Sequence, residues 1–263
     1  MKRQVATVAG KAGLEDILFS HQSDTEAFHG QLKSARNLSN QAIQSALRND
    51  FKETAALWHL NSALREAEFG NVERAKQEAK EGLAIAPTRD VQTLVALTLA
   101  CIGDQARAQA MADSLEKENP VNTTLNHYWL PVIRAYIELR SNRPAPALKL
   151  LEDAAPYDLA FPQPQYSEGG TLYPPYVRGQ VYLALHQGKE AAAEFQKLID
   201  YRTIVANYPL ASLARLGLAR SYVLQGDTAK SRAAYQDFLA LWKDADPDIP
   251  ILKQAKAEYA KLQ

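Results

Sequence analysis

A single cysteine is all that this chain of 263 residues contains. Cys101 has no internal disulfide partner, and with no Cys or His at ligand spacing around it there is no structural zinc site. The disulfide-stapled secreted class is thereby excluded. Net charge is lacking as well: 30 Lys and Arg balance 30 Asp and Glu, so no overall field draws the molecule toward nucleic-acid phosphates or anionic lipid. Long apolar runs are missing too. The longest uncharged one, Val91 to Gly103, has 13 residues, short of the roughly 18 to 20 that span a bilayer. The opening Met1-Lys2-Arg3 is followed by an apolar patch that is too short, and too soon interrupted by Lys11, for a signal-peptide core. The chain as written is therefore expected in the cytoplasm, without nucleic-acid binding or membrane insertion of its own. A membrane span upstream in a longer parent would instead place it outside.

Catalytic motifs are also wanting. There is no HExxH and no G-x-S-x-G, and Val5 stands where a phosphate-binding loop ending at Gly10-Lys11 needs its first glycine. Asp244, Asp246 and Asp248 alternate like the opening of a calcium loop, but Ile249 and Ala255 occupy the positions that need glycine and glutamate. Glu26 and His29 form one Glu-x-x-His, whereas carboxylate-bridged di-metal bundles need two. No enzyme activity, metal or cofactor is expected from these patterns.

What the chain does have is 46% hydrophobic and 23% charged residues, the composition of a folded domain, and an internal repeat. In the segment from Ala56, Gly70, Ala75, Ala79 and Pro87 follow at fixed offsets. In the segment from Arg89, Gly103, Ala108, Ala112 and Pro120 fall at the same offsets, a shift of 33. A glycine that ends one helix, alanines that let a second helix approach, and a proline that stops it describe a helical hairpin. Ala35, Ala75, Ala108, Ala147, Ala191 and Ser231 hold the close-contact position in six copies. Copies five and six keep Gly179, Tyr182, Ala191 and Phe195, and Tyr222, Gly226, Ser231, Tyr235 and Phe238.

These residues resemble the tetratricopeptide repeat. The expected fold is all-α, a right-handed α–α superhelix of about six hairpins. Units are placed near 14–50, 51–87, 88–120, 124–155, 172–208 and 210–243, within an array spanning 14–248 that follows a flexible segment 1–13. Copies one and four fit least well. Ser23 with Glu26 reads as an alternative capping box starting a helix at Asp24, and Asn142-Arg143-Pro144 replaces the turn glycine. A capping helix is expected over 249–263, with Asp248 as N-cap and Pro250 in its first turn. Residues 156–175, with five prolines and Gly169-Gly170, read as an ordered loop whose Tyr157, Phe161, Tyr166 and Tyr173 pack on neighbouring helices.

The family resemblance implies a concave groove lined by the first helix of each hairpin. It assigns to that groove Trp129, Val132, Tyr136 and Leu139 in copy four, Tyr173, Tyr176, Gln180 and Leu183 in copy five, and Leu213, Leu216, Arg220 and Val223 in copy six. The Lys and Asn with which some members grip a terminal carboxylate are missing at the corresponding positions. A protein or peptide ligand in the groove would meet Trp129, Tyr136, Tyr173, Tyr176, Gln180 and Arg220, with Arg140 and Arg178 supplying charge. Packing of the same aromatics beneath the loop is the competing expectation. More specifically, GLEDILFSHQSDTEAFHGQL, ALREAEFGN, GTLYPPYVRGQVYLAL and LWKDADPDIPILKQAKAEYAKLQ resemble the C-terminal repeat region of bacterial eukaryotic-like serine/threonine kinases and of some winged-helix regulators. That likeness implies a sensing or scaffolding region without kinase motifs. A freestanding cell-envelope scaffold and a small-molecule binder using the aromatic loop and groove are the alternatives.

Overall fold

The computed structural model describes residues 11–162, 164 and 171–262, and the secondary structure among them is entirely helical. Helices pair as α1 (Glu15–Phe28) with α2 (Leu32–Arg48), α3 (Lys52–Glu68) with α4 (Val72–Ile85), and α5 (Arg89–Cys101) with α6 (Gln105–Glu118). The pairing continues with α7 (Leu130–Arg140) and α8 (Pro144–Ala154), α9 (Tyr173–Ala184) and α10 (Gly188–Asp200), and α12 (Pro209–Leu224) and α13 (Thr228–Leu241). A short α11 (Arg202–Val205) links the last two pairs, and α14 (Pro250–Ala260) follows them. First helices also stack on one another, α3 on α5 and α5 on α7. The result is an α–α solenoid of six hairpins and a terminal helix.

The hairpins reverse in a common way. Gly70 and Gly103 adopt φ of +89° and +86°, which a side chain on Cα disfavours, and the next N–H reaches back five residues, as from Asn71 to the Glu66 carbonyl at 2.8 Å. This is a Schellman closure. The fourth and fifth hairpins make it without glycine: Asn142 and His186 sit at φ +58° and +57°, with Arg143 and Gln187 donating to the Glu138 and Tyr182 carbonyls at 2.9 Å.

Four local expectations need correction. Helix α1 runs unbroken through Ser23, whose hydroxyl donates to the Ala35 carbonyl at 2.9 Å across the hairpin, so it caps nothing. The N-cap of α14 is Ile249 rather than Asp248, with Pro250 at the first helical position. Helix α9 begins at Tyr173, so the last three positions assigned to the loop are helical; Pro174 and Pro175 fit because first-turn N–H groups have no acceptor within the helix. Phe161 is 48% exposed rather than packed, while Tyr157 stacks on His127. Tyr166 and residues 1–10 of the N-terminal segment lie outside the described residues.

The two ends of the array meet. Helix α12 packs against α1, and the Arg215 guanidinium lies 5.7 Å from the Phe28 ring centre. Beyond α13, the indole N–H of Trp242 donates to the Phe28 carbonyl at 2.9 Å. The Asp246 N–H donates to the Gly30 carbonyl at 3.0 Å, and its carboxylate accepts the Lys33 N–H at 2.7 Å. Trp242 packs edge-on against Phe69 at 5.1 Å and is buried; burying a side chain of this size is worth roughly 3 kcal/mol. Pro250 then lies over Gly70, and the Ile251 N–H donates to the Phe69 carbonyl at 3.3 Å. The superhelix is closed on itself, with α14 fastened to the second hairpin at its start.

Candidate functional site

Closure creates a cavity of about 380 Å³, walled by residues of α3, α7, α9, α10, α12 and α14. Its polar lining is Glu68, Arg140, Tyr176, Gln180, Arg220 and Gln254; Leu139, Leu183, Leu213, Leu216 and Ile251 supply much of the apolar wall. The residues of α9 recur at three- and four-residue intervals, which sets Tyr176, Gln180 and Leu183 on one stripe of the helix. On α12, Leu213, Leu216 and Arg220 repeat that spacing.

Glu68 forms the floor. It is 9% exposed and accepts a hydrogen bond from the Tyr136 hydroxyl at 2.5 Å, with the Cys101 thiol 3.5 Å away. Burial raises its pKa above the usual carboxylate range, outweighing the Tyr136 hydroxyl and the Arg140 charge, which favour ionisation. Burial also drives the Cys101 thiol and the Tyr136 phenol well above their ordinary values, with the Glu68 charge adding to both. Cys101 is thus a neutral thiol, as its apolar neighbours in sequence suggest. Its charged neighbour, Glu68, arrives from a different hairpin.

The two arginines differ in their state. Arg220 is held by Glu258 of α14 through a paired contact, Nε to Oε2 at 2.9 Å and Nη2 to Oε1 at 3.1 Å, and the Tyr235 hydroxyl donates to the same carboxylate. Arg140 donates from Nε to the Cys101 carbonyl at 2.8 Å and forms no ion pair within 4.0 Å among the described residues. Its guanidinium is the unpaired positive charge of the cavity.

Of the residues expected in the groove, Arg140, Tyr176, Gln180 and Arg220 are thus brought together. Trp129, Tyr136 and Tyr173 are not on the cavity wall: each is 1% exposed or less and forms part of the core. Trp129 lies in a π-helical turn, Leu125–Trp129, next to Pro131, and sits 4.8 Å from the Tyr128 ring and 6.1 Å from that of Tyr173. Tyr128 receives the Tyr173 N–H at 3.3 Å, clamping the start of α9 to the fourth hairpin. Arg178 also faces elsewhere, bridging Asp158 at 2.5 Å and Glu194 at 2.9 Å.

No motif marks Glu68, Gln254 or Glu258 as parts of this site, since their partners lie on distant hairpins. A second constellation was equally hidden. His59, Glu78 and Glu81 bring one ligand atom each within 4.8 Å of one another, with His59 Nδ1 2.8 Å from Glu78. Arg74 lies 3.2 Å from the same Glu78 carboxylate. Burial pushes Glu78 up, but His59 and Arg74 together hold it below its ordinary value, the behaviour of an ion-pair cluster. In the first interface, buried Arg65 donates to Ser23 at 2.7 Å and Ser39 at 2.9 Å, and Arg36 grips Glu66 at 2.6 and 2.8 Å.

No protein-family model matches the chain, and no curated protein does. Among solved structures, the crystal structure of yeast Tom70 is similar over 99% of this chain and 57% of that one, with a TM-score of 0.49 and 13% identity. The chain therefore spans little more than half the length of that protein. No helix among the described residues is long and apolar enough to cross a membrane.

Proposed function

We propose that the chain is a non-catalytic interaction module that captures a protein or peptide segment on its inner face, as the sensing or scaffolding region of a larger kinase or regulator. The observation that carries this reading is convergence. First helices of the fourth, fifth and sixth hairpins, together with α14, turn an aromatic, two amides and two guanidinium groups toward one recess. Tyr and Arg are the residue types that concentrate binding energy at interfaces. The kinase or regulator context rests on the sequence segments that resemble such repeat regions. A parent reading frame carrying a kinase or winged-helix domain ahead of Met1 supports it, and a lipidated signal sequence there favours the cell-envelope scaffold.

The contacts are expected at Tyr176, Gln180, Arg140 and Arg220 rather than at buried Trp129, Tyr136 and Tyr173. Partner candidates come from crosslinking in cells expressing the whole parent, and their affinity is then measured with purified protein. Gln180→Ala and Arg220→Ala should each weaken capture by about 1 to 3 kcal/mol while far-UV circular dichroism stays unchanged. Undiminished capture by the double variant would place the partner on another surface.

A further inference from the structure

The geometry points to a second occupant of the closed array: a small, free organic acid with an apolar body, seated in the central cavity with its carboxylate on Arg140. This occupant would share the recess proposed for a protein segment and compete with it there, and its failure would leave that capture untouched.

The cavity has the size of a small-molecule site. Its volume of about 380 Å³ lies in the lower part of the range found for ligand pockets, enough for a compound of about ten non-hydrogen atoms. The charge arrangement selects the ligand's sign. Three charged residues line the space, Glu68, Arg140 and Arg220. Arg220 is already matched by both oxygens of Glu258. Glu68 lies beneath Tyr136 and Cys101, whose hydroxyl and thiol engage its carboxylate, and burial raises its pKa although the Arg140 charge favours ionisation. Arg140 remains, with Nε tied to a backbone carbonyl, which fixes the direction of the guanidinium and leaves its Nη groups without a carboxylate. A guanidinium so oriented matches a carboxylate through two parallel hydrogen bonds. A cationic ligand would meet the same unpaired charge and be repelled.

The rest of the wall specifies the ligand's body. Leu183, Leu213, Leu216 and Phe195 present apolar surface, while Tyr176 and Gln180 stand beside it as neutral polar groups. A small aromatic or branched aliphatic stem can lie against these side chains, with Tyr176 and Gln180 beside it to meet one further polar group. Because Ile251 and Gln254 of α14 complete the wall, an occupant bridges the fourth and sixth hairpins and the terminal helix. It would thereby strengthen the closure that forms the site.

Isothermal titration of the full chain with three isosteric probes tests this: 3-phenylpropionate, 3-phenylpropan-1-ol and 3-phenylpropylamine. The acid is expected to bind at least tenfold more tightly than the alcohol, and the amine least tightly. Arg140→Gln should erase the acid's advantage with the alcohol unaffected, and Arg140→Lys should restore part of it. Equal affinity for acid and alcohol, or no binding by any of the three, overturns the proposal without needing a variant. Acid binding that survives Arg140→Gln overturns the assigned site. An acidic pentapeptide that binds where the free acid does not overturns the small-ligand reading while leaving protein capture intact.

Discussion

Replacing Gly217 by alanine sets two opposing effects against each other. Gly217 lies inside α12, where alanine is favoured over glycine by about 1 kcal/mol. A Cβ there would fall 2.6 Å from Cε1 and Cζ of Phe195, about 1 Å inside an ordinary carbon–carbon contact. The ring has nowhere to go: on its other side, a Cβ at Gly179 would meet it at 2.8 to 3.0 Å. Overpacking of this kind costs about 1 to 3 kcal/mol, so the penalty prevails and Gly217→Ala should be net destabilising by about 1 kcal/mol. For a chain of this size that lowers Tm by roughly 2 to 4 °C. The decisive comparison is the same change in a Phe195→Ala background, where every ring atom that collides is gone. There Gly217→Ala should become neutral or stabilising, so the effect changes sign between backgrounds. Thermal and urea unfolding followed at 222 nm measure all four proteins. Equal destabilisation in both backgrounds would refute the packing argument.

Three further outcomes follow from the geometry. Glu68→Gln should stabilise the protein at neutral pH: a carboxyl whose pKa is raised by folding contributes most when protonated in both states, and that contribution declines as pH climbs from the usual carboxylate range toward the raised value. Urea midpoints across pH 4 to 8 should therefore converge at the acid end, and a constant offset counts against the assignment. Arg65→Ala should cost about 3 kcal/mol by stranding Ser23, Ser39 and Asp24 in a dry interface, read from unfolding curves. Trp242→Phe keeps the aromatic packing but loses the bond to the Phe28 carbonyl. A loss of about 1 kcal/mol is expected, and an unchanged midpoint would show that this bond contributes nothing to closure.

The repeat was readable because its physics is local. Gly70 and Gly103 must turn, Ala75 and Ala108 must admit a neighbouring helix, and the interval between them survives in sequence. Where Asn142 makes the turn the signal faded, although the backbone conformation is the same; the fifth copy, turned by His186, stayed legible through Gly179, Tyr182, Ala191 and Phe195. Longer-range facts left less trace. Ser23 imitates a helix cap in sequence, but its role is set by Arg65, 42 positions away. Asp246 belongs to a run that imitates a calcium loop, yet it fastens the chain's end to Gly30 and Lys33. The family pattern marked Trp129, Tyr136 and Tyr173 for the groove, but Trp129 and Tyr173 pack toward each other and Tyr136 bonds to Glu68 of another hairpin, contacts that the pattern does not encode. Tyr176, Gln180 and Arg220 stayed on the inner wall because they fall on the stripes of α9 and α12 that face the cavity.

Closure also fixes when the molecule is finished. An open solenoid can add or lose a unit at either end and settle stepwise, since each hairpin touches only its neighbours. Here the bonds from Trp242 and Asp246 reach back 214 and 213 positions to the first hairpin. During synthesis, the turn from Phe28 to Lys33 must wait until the residues through Asp246 have emerged. The number of units is therefore counted by geometry, and the slow, nonlocal step comes last. Insertion or deletion of a hairpin would leave both ends without partners and expose them to other copies of the chain.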